Sequence, residues 1–284
     1  MKSAQAARRR RDRHLPLAPI ISWENLRIFD TYDQDGNHLT SEYLYVAPAG
    51  QVYYGVSHRH SSVLRPSTVQ STLRAVPEEE IFPLLPADNT VTVAPAAVLA
   101  DPRLIFEKQC FLHCYGGQMG TDKCARGFLH EVLVTEKISA TDPPHPYIIG
   151  YHGCRVEDGR IKSLVLERLE RTLGAYAQTP EFASLDKHAF WERIKSAVEH
   201  IHALGLAHND LNPANIMVRE TKGGEAEPVL IDFGSCAPFG GELSLTTGTE
   251  GWIENLFNTS EKGHDVYALG KLKEWLHDEN RSYD

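Results

Sequence analysis

His208-Asn209-Asp210-Leu211-Asn212-Pro213-Ala214-Asn215, followed by Ile231-Asp232-Phe233-Gly234, is the stretch whose reading decides the fold of this chain. Phe190, Ile194, Val198, Ile201 and Leu204 recur at helical spacing just before it, and Gly205 ends the run. Asp210 therefore falls in a loop directly after a long helix. Asn215 follows five residues later, close enough for both side chains to face one cleft from a short turn. Two short β-rich runs, Ile216 to Val218 and Val229 to Ile231, flank a Gly-Gly turn. Their pairing returns Asp232 to the place where Asn215 leaves, and Phe233-Gly234 lets the chain turn sharply there.

Phosphoryl transfer needs a carboxylate to orient the attacking hydroxyl and further oxygen ligands to hold magnesium on the phosphates. Asp210, Asn215 and Asp232 are side chains of that kind, and two separate motifs agree in order and distance. Working outward, Leu104 to Phe111 reads as a strand and Gly127 to Ser139 as a helix. Tyr147 to Val156 and Arg160 to Leu169 form a hairpin about Asp158-Gly159, and a last helix runs from about His264 to Leu276. A β-rich half followed by a helical half predicts an α+β fold of two lobes around a cleft.

Nearer the N-terminus, residues 1–18 read as a disordered basic tail and residues 19–89 as a β-rich extension, with Asp35-Gly36 as a hairpin turn signal. Asp33 to Asn37 has the look of a calcium loop, but a register from Asp33 puts His38 at the glycine position and Leu44 where a bidentate Glu belongs. Residues 61–103, rich in Pro, Ser and Thr, read as a lead-in segment. The main domain is expected over residues 90–284, divided near residue 167.

With 284 residues, 42% of them apolar and 24% charged, the chain has the composition of a soluble globular protein. The formal charge of −9 argues against general affinity for nucleic acid. No run approaches ~18 consecutive apolar residues, so no membrane span is expected, and the first 30 residues lack the apolar core of a signal peptide. The expected location is intracellular and cytoplasmic, with nuclear entry through the basic run Arg8 to Arg13 as the alternative. Five cysteines without framework spacing are expected to remain thiols. Cys110, His113, Cys114 and Cys124 contain no Cys-x-x-Cys pair and are read as ordinary residues rather than zinc ligands.

On these motifs the sequence resembles the protein-kinase-like superfamily, over roughly residues 90 to 278. The resemblance implies a two-lobe fold with a β-rich N-lobe and a mainly helical, C-terminally truncated C-lobe. It implies ATP and Mg2+ as cofactors, Asp210 as the catalytic base, and Asn215 and Asp232 as magnesium ligands. Lys108 would hold the α and β phosphates, with Glu131, 23 residues later, as its ion-pair partner. In Leu164-Val165-Leu166-Glu167-Arg168-Leu169, Leu166 would be the gatekeeper, and the backbone of Glu167 and Leu169 would meet adenine, with Met217 completing the nucleotide site. Gly248-Thr249-Glu250-Gly251-Trp252 is similar to the substrate-docking end of an activation segment, and Asp265 to Gly270 to the helix that buttresses the catalytic loop. His145 to Ile149, Tyr151 to Cys154 and Gly270 to Leu276 further resemble small fungal serine/threonine protein kinase-like proteins.

The pattern departs from the family in places. Thr90 to Ala97, the expected phosphate-cradling region, has no glycine, and Phe106 stands two residues before Lys108 where a small alanine is usual. Asn209 replaces the arginine that reads a phosphorylated activation loop, so regulation through Thr246 or Thr247 in the usual way is not expected. Asn212 replaces the lysine that contacts the transferred phosphate. The sequence thus leads first to transfer of the γ-phosphoryl of ATP to a Ser/Thr hydroxyl of a protein substrate. The alternatives are a pseudokinase binding or scaffold module and a small-molecule kinase of the choline or aminoglycoside type.

Overall fold

A computed structural model describes residues 26–47, 50–110, 112, 115–221, 223–243 and 248–279. The basic tail, Thr246, Thr247 and the His113-Cys114 pair lie outside the described residues. The chain divides into two compact units, one of residues 1–83 with 110–126 and the other of residues 84–109 with 127–284.

The first unit is built on an antiparallel sheet of β1 (Leu26–Tyr32), β2 (His38–Val46), β3 (Val52–Ser57) and β4 (Arg74–Ala75), in that order. Alternation along β2 and β3 sends Tyr43, Tyr45 and Tyr53 to one face, where they bury against Val69 and Leu73 from and just after helix α1 (Pro66–Thr72). The β1–β2 connection is the expected turn: Gly36 has φ +81°, and Oδ1 of Asp33 accepts from the amides of Asp35 (3.0 Å) and Asn37 (2.8 Å). A carboxylate spent on turn amides fixes a hairpin, not an ion loop. Asp30 is locked between strands and loop: burial works to raise its carboxyl, but hydrogen bonds from Ser41 and Ser61 outweigh it and hold the pKa at about 2. Residues 61–103 are more structured than a lead-in. Besides α1 they carry short helices at Glu78–Ile81 and Ala96–Leu99. Residues 110–126 join this unit through Glu80, whose Oε2 accepts from Tyr115 Oη and Gly120 N, both at 2.8 Å.

In the second unit, β5 (Ile105–Lys108) is shorter than the expected strand and forms a sheet with β6 (Tyr151–Glu157) and β7 (Arg160–Glu167), in the order β5-β7-β6. Positive φ at Asp158 (49°) and Gly159 (72°) makes the tight β6–β7 turn that the sequence predicts. Helix α2 (Lys123–Ser139) starts four residues ahead of the periodic run; the small buried residues Cys124 and Ala125 carried little of that signal.

Thr90 to Ala97, the expected phosphate-cradling region, pairs with β6. Cys154 N donates to Thr92 O (2.8 Å) and Ala94 N to Cys154 O (2.9 Å), so this segment runs along β6, at the opposite edge of the sheet from β5. Gly153 permits the approach. It has φ +110°, and a Cβ there would stand 2.7 Å from Ala94 N and 2.8 Å from Thr92 O.

The helical part begins with β8 (Arg171–Thr172) and then α3 (Lys187–Ala203), capped by Asp186, whose side chain accepts from Ala189 N at 3.0 Å. Phe190, Ile194, Ala197, Val198 and Ile201 form its buried stripe, and Gly205, at φ +75°, ends the run. β9 (Leu206–Ala207) leads into the Asp210 loop, and β10 (Ile216–Glu220) pairs with β11 (Ala226–Leu230) across the turn containing Gly223-Gly224. β12 (Ala237–Pro238) returns antiparallel to β9, and α4 (Lys262–His277) buries Asp265, Leu269, Leu272 and Leu276. Among the described residues no helix is long and apolar enough to cross a membrane.

Candidate active site

Lys108 is the hinge of one half of the site. Strand β5 carries it to within 2.5 Å of Glu131 Oε1 on α2 and 2.8 Å of Asp232 Oδ1. Burial works to lower the lysine pKa, but the two carboxylates win and raise it, so the ammonium persists well into alkaline solution. Burial dominates at Glu131 and raises its carboxyl despite the lysine. At Asp232, burial is overcome by the charge and hydrogen bond of Lys108, which hold the carboxyl below the ordinary range. The contact between Lys108 and Asp232 is accordingly an ion pair at neutral pH. Gly234 N also donates to Asp232 Oδ1 (3.2 Å), so both contacts fall on one oxygen and leave Oδ2 for another ligand.

Asp210 centres the other half. Its Oδ1 accepts from Thr249 Oγ1 at 2.7 Å and Asn212 Nδ2 at 3.2 Å, while Oδ2 accepts from Asn215 Nδ2 at 2.9 Å. Asn212 also donates to Thr249 Oγ1 (3.1 Å), closing a ring of three side chains. Because Asn215 turns its amide nitrogen to Asp210, its carbonyl oxygen is left for a cation or a donor. The backbone stitches the halves together: Ile231 N donates to Asn215 O (3.1 Å), placing Asn215 beside the residue that precedes Asp232.

Two residues of this site sit in the left-handed region, Asn209 at φ 63° and Asp232 at φ 64°. Asn and Asp tolerate that conformation better than other non-glycine residues. Asn209 is buried, and its amide nitrogen donates at 2.9 Å to Ala207 O, Ser235 O and Ser260 Oγ. The residue that replaces an arginine thus ties the Asp210 loop to β12 and the start of α4. Asp265, fully buried on α4, accepts from His208 N, Asn209 N and His202 Nε2, each at 2.8 Å. His208 is also fully buried. Its Nδ1 faces Asp210 N (3.3 Å), so Nε2 carries the proton and donates to Ile231 O (3.0 Å).

Of the residues singled out in the sequence, the structure brings Lys108, Glu131 and Asp232 into one cluster and Asp210 and Asn215 into another. Leu166 is buried on β7, opposite Phe106 in register. The Glu167 amide is engaged by Gly150 O (2.8 Å), and its carboxylate pairs with Arg219. Leu169 follows β7 half-buried, and Met217 lies on β10 opposite Val229. Thr249, which the sequence placed in a segment similar to a substrate-docking one, proves to be a hydrogen-bond partner of Asp210. Its signal was the hydroxyl directly after Gly248, where φ +79° and a Cβ position 2.5 Å from Ile253 Cγ2 admit only glycine. Among the described residues no cluster of three or more His, Cys, Asp or Glu could hold a metal by itself.

The family model described as protein kinase domain matches residues 118–273. The serine/threonine-protein kinase/endoribonuclease IRE1 of Hypocrea jecorina is 28% identical over 147 residues, 47% of this chain and 12% of that protein. The serine/threonine-protein kinase/endoribonuclease IRE2 of Homo sapiens is 29% identical over 118 residues, 38% of this chain and 13% of the relative. Serine/threonine-protein kinase C of Synechocystis is 29% identical over 154 residues, 50% of this chain and 28% of the relative. The matched part therefore spans between about an eighth and somewhat over a quarter of these proteins.

Proposed function

Because the chain belongs to the protein kinase domain family, we propose that it moves the γ-phosphoryl of ATP to a serine or threonine hydroxyl of a protein substrate. The observation that carries this reading is the Lys108 ammonium held between Glu131 and Asp232 at 2.5 and 2.8 Å, with Asp210 and Asn215 joined at 2.9 Å. The residues fit a magnesium nucleotide: Asp232 Oδ2 and Asn215 Oδ1 are hard oxygen donors left over by the local hydrogen bonds. Magnesium, when bound there, would neutralise charge on the phosphates.

The protein groups have separable tasks. Lys108 offers a fixed cation to phosphate oxygens, and Glu131 aims it from α2. Asp210 accepts the proton of the attacking hydroxyl. Thr249 and Asn212 fix Oδ1 of that carboxylate and Asn215 fixes Oδ2, so its orientation is set before a substrate arrives. Asn212 brings no charge, and compensation in the transition state falls to Lys108 and the metal. The relatives are named serine/threonine-protein kinases, which supports a hydroxyl acceptor of that type.

The test is incubation of purified protein with γ-labelled ATP, magnesium and a generic acceptor protein, followed by phosphoamino acid analysis. Label in phosphoserine or phosphothreonine is expected. Label confined to a small metabolite would move the assignment to a small-molecule kinase, and no label in any acceptor would make the chain a binding module.

A further inference from the structure

Beyond the Gly248 to Trp252 segment the chain forms a pocket of about 230 Å³, lined among others by Ile253, Glu254, Phe257, Glu261, His264 and Tyr267. Its walls reach the immediate neighbours of Thr249 and Asp210. A Cβ on Gly248 would stand 2.5 Å from Ile253 Cγ2 and 3.3 Å from Phe257 Cζ. Phe257 stacks on His264 with ring centroids 3.6 Å apart, and His264 Nδ1 lies 3.2 Å from Asn209 Oδ1. Gly248 precedes Thr249 and Asn209 precedes Asp210, and those two are joined at 2.7 Å. The pocket is thus one residue removed, on both chain segments, from the carboxylate assigned to the acceptor hydroxyl.

The charged groups of this pocket are both acidic, and its histidine is turned to accept. Asn209 Nδ2 is directed at the carbonyls of Ala207 and Ser235, so Oδ1 must accept and the proton sits on His264 Nδ1. Nε2 of the neutral ring keeps its lone pair. Glu254 and Glu261 are exposed, and among the described residues neither carboxylate has a hydrogen bond or an ion pair. Lys271, one turn after Tyr267 on α4, donates to Gly251 O instead of neutralising them. Apolar and aromatic walls with acceptors at the mouth suit a flat cation on an apolar stem. We propose that this pocket receives an arginine side chain of the acceptor protein, a few residues from the hydroxyl that is phosphorylated, so that basic sequences are the preferred substrates. This inference rests on the reading of Asp210 as the base for a protein hydroxyl. The guanidinium meets Glu254 and Glu261 while its stem lies against Ile253 and Tyr267. Lysine, a point charge without the planar fork, is accepted less well, and an acidic residue is repelled.

Initial rates with γ-labelled ATP and serine peptide mixtures, each fixing Arg, Lys, Gln or Glu at one position near the acceptor, test the inference. The proteins compared are wild type, a Glu254→Gln Glu261→Gln double variant and a Glu254→Lys Glu261→Lys charge reversal. A Glu157→Gln Glu199→Gln control removes as much charge from exposed sites elsewhere. Wild type is expected to favour Arg over Gln at one position by about 3- to 30-fold in kcat/KM, with Lys intermediate and Glu disfavoured. The Glu254→Gln Glu261→Gln variant is expected to lose that preference with its melting temperature and its KM for ATP held, and the charge reversal to favour Glu at the same position. The control is expected to keep the preference for Arg. A preference absent from wild type, or unchanged in Glu254→Gln Glu261→Gln, overturns the pocket and leaves transfer to peptides standing. One lost equally in the control is a property of net charge and overturns the pocket as well. No labelling of any peptide by wild type overturns the acceptor reading and the pocket together.

Discussion

Asp210→Asn is expected to lower kcat by about 10²- to 10⁴-fold while leaving the KM for ATP within a few-fold of wild type, the range associated with loss of a positioned general base. The substitution keeps the shape of the side chain and, with its carbonyl in the place of Oδ1, can keep the two hydrogen bonds accepted there. It removes the negative charge, and with it the group that takes the hydroxyl proton. Thr249 and Asn212 both donate to Oδ1, and Asn215 donates to Oδ2, so the new amide nitrogen must meet at least one donor. The substrate-side loss is therefore of charge and of aim together. In the proposed function Lys108 and Asp232 serve the nucleotide, and among the described residues neither is hydrogen-bonded to Asp210, so nucleotide KM is expected to change little. Steady-state kinetics of both proteins with one acceptor separates the two parameters, and an equal kcat would remove Asp210 from the chemistry.

The second large effect is on stability. Asp265→Ala is expected to destabilise the protein by about 3 to 5 kcal/mol, read as a fall in the denaturation midpoint. The Asp265 side chain is 0% exposed and accepts hydrogen bonds from two backbone amides and His202. Alanine leaves the His208 and Asn209 N–H groups buried without an acceptor, and opens a small cavity beside α3 and α4. Asn209 then loses one of the anchors that keep it at φ 63°, so the Asp210 loop loosens even in molecules that remain folded. A midpoint unchanged within about 0.5 kcal/mol would show that the loop is held by other means.

The parts of this molecule that were legible in the sequence are those where function or geometry forces particular residues into a short span. Asp210 and Asn215 share one turn, Asp232 is tied to Asn215 by the β10–β11 ladder, and Asp158-Gly159 spells out a turn with two positive φ angles. Lys108 and Glu131 were reachable through the resemblance to the protein-kinase-like superfamily, and the structure brings them to 2.5 Å. The course of Thr90 to Ala97 was not reachable. It depends on a single hydrogen atom at Gly153, about sixty residues away, and on Glu136 Oε2 accepting from Thr92 Oγ1 at 3.1 Å, neither of which leaves a local pattern. Residues 110–126 escaped for the same reason: Glu80, with Tyr115 and Gly120, sets their place from a distance of 35 and 40 residues. Thr249 was visible as part of the Gly248 to Trp252 segment, but its bond to Asp210 was not, because the two lie 39 residues apart.

The claim on which the rest depends is that Lys108, Glu131 and Asp232 form a site for the phosphates of a magnesium nucleotide. Thermal unfolding with and without ATP and magnesium measures it directly, since a ligand that binds only the folded state raises the melting temperature. At a nucleotide concentration about 100 times Kd the expected stabilisation is about 2.7 kcal/mol. That increment should require magnesium and should vanish in Asp232→Asn. A wild-type melting temperature that does not move in saturating ATP and magnesium, or one that moves equally in Asp232→Asn, would contradict the account.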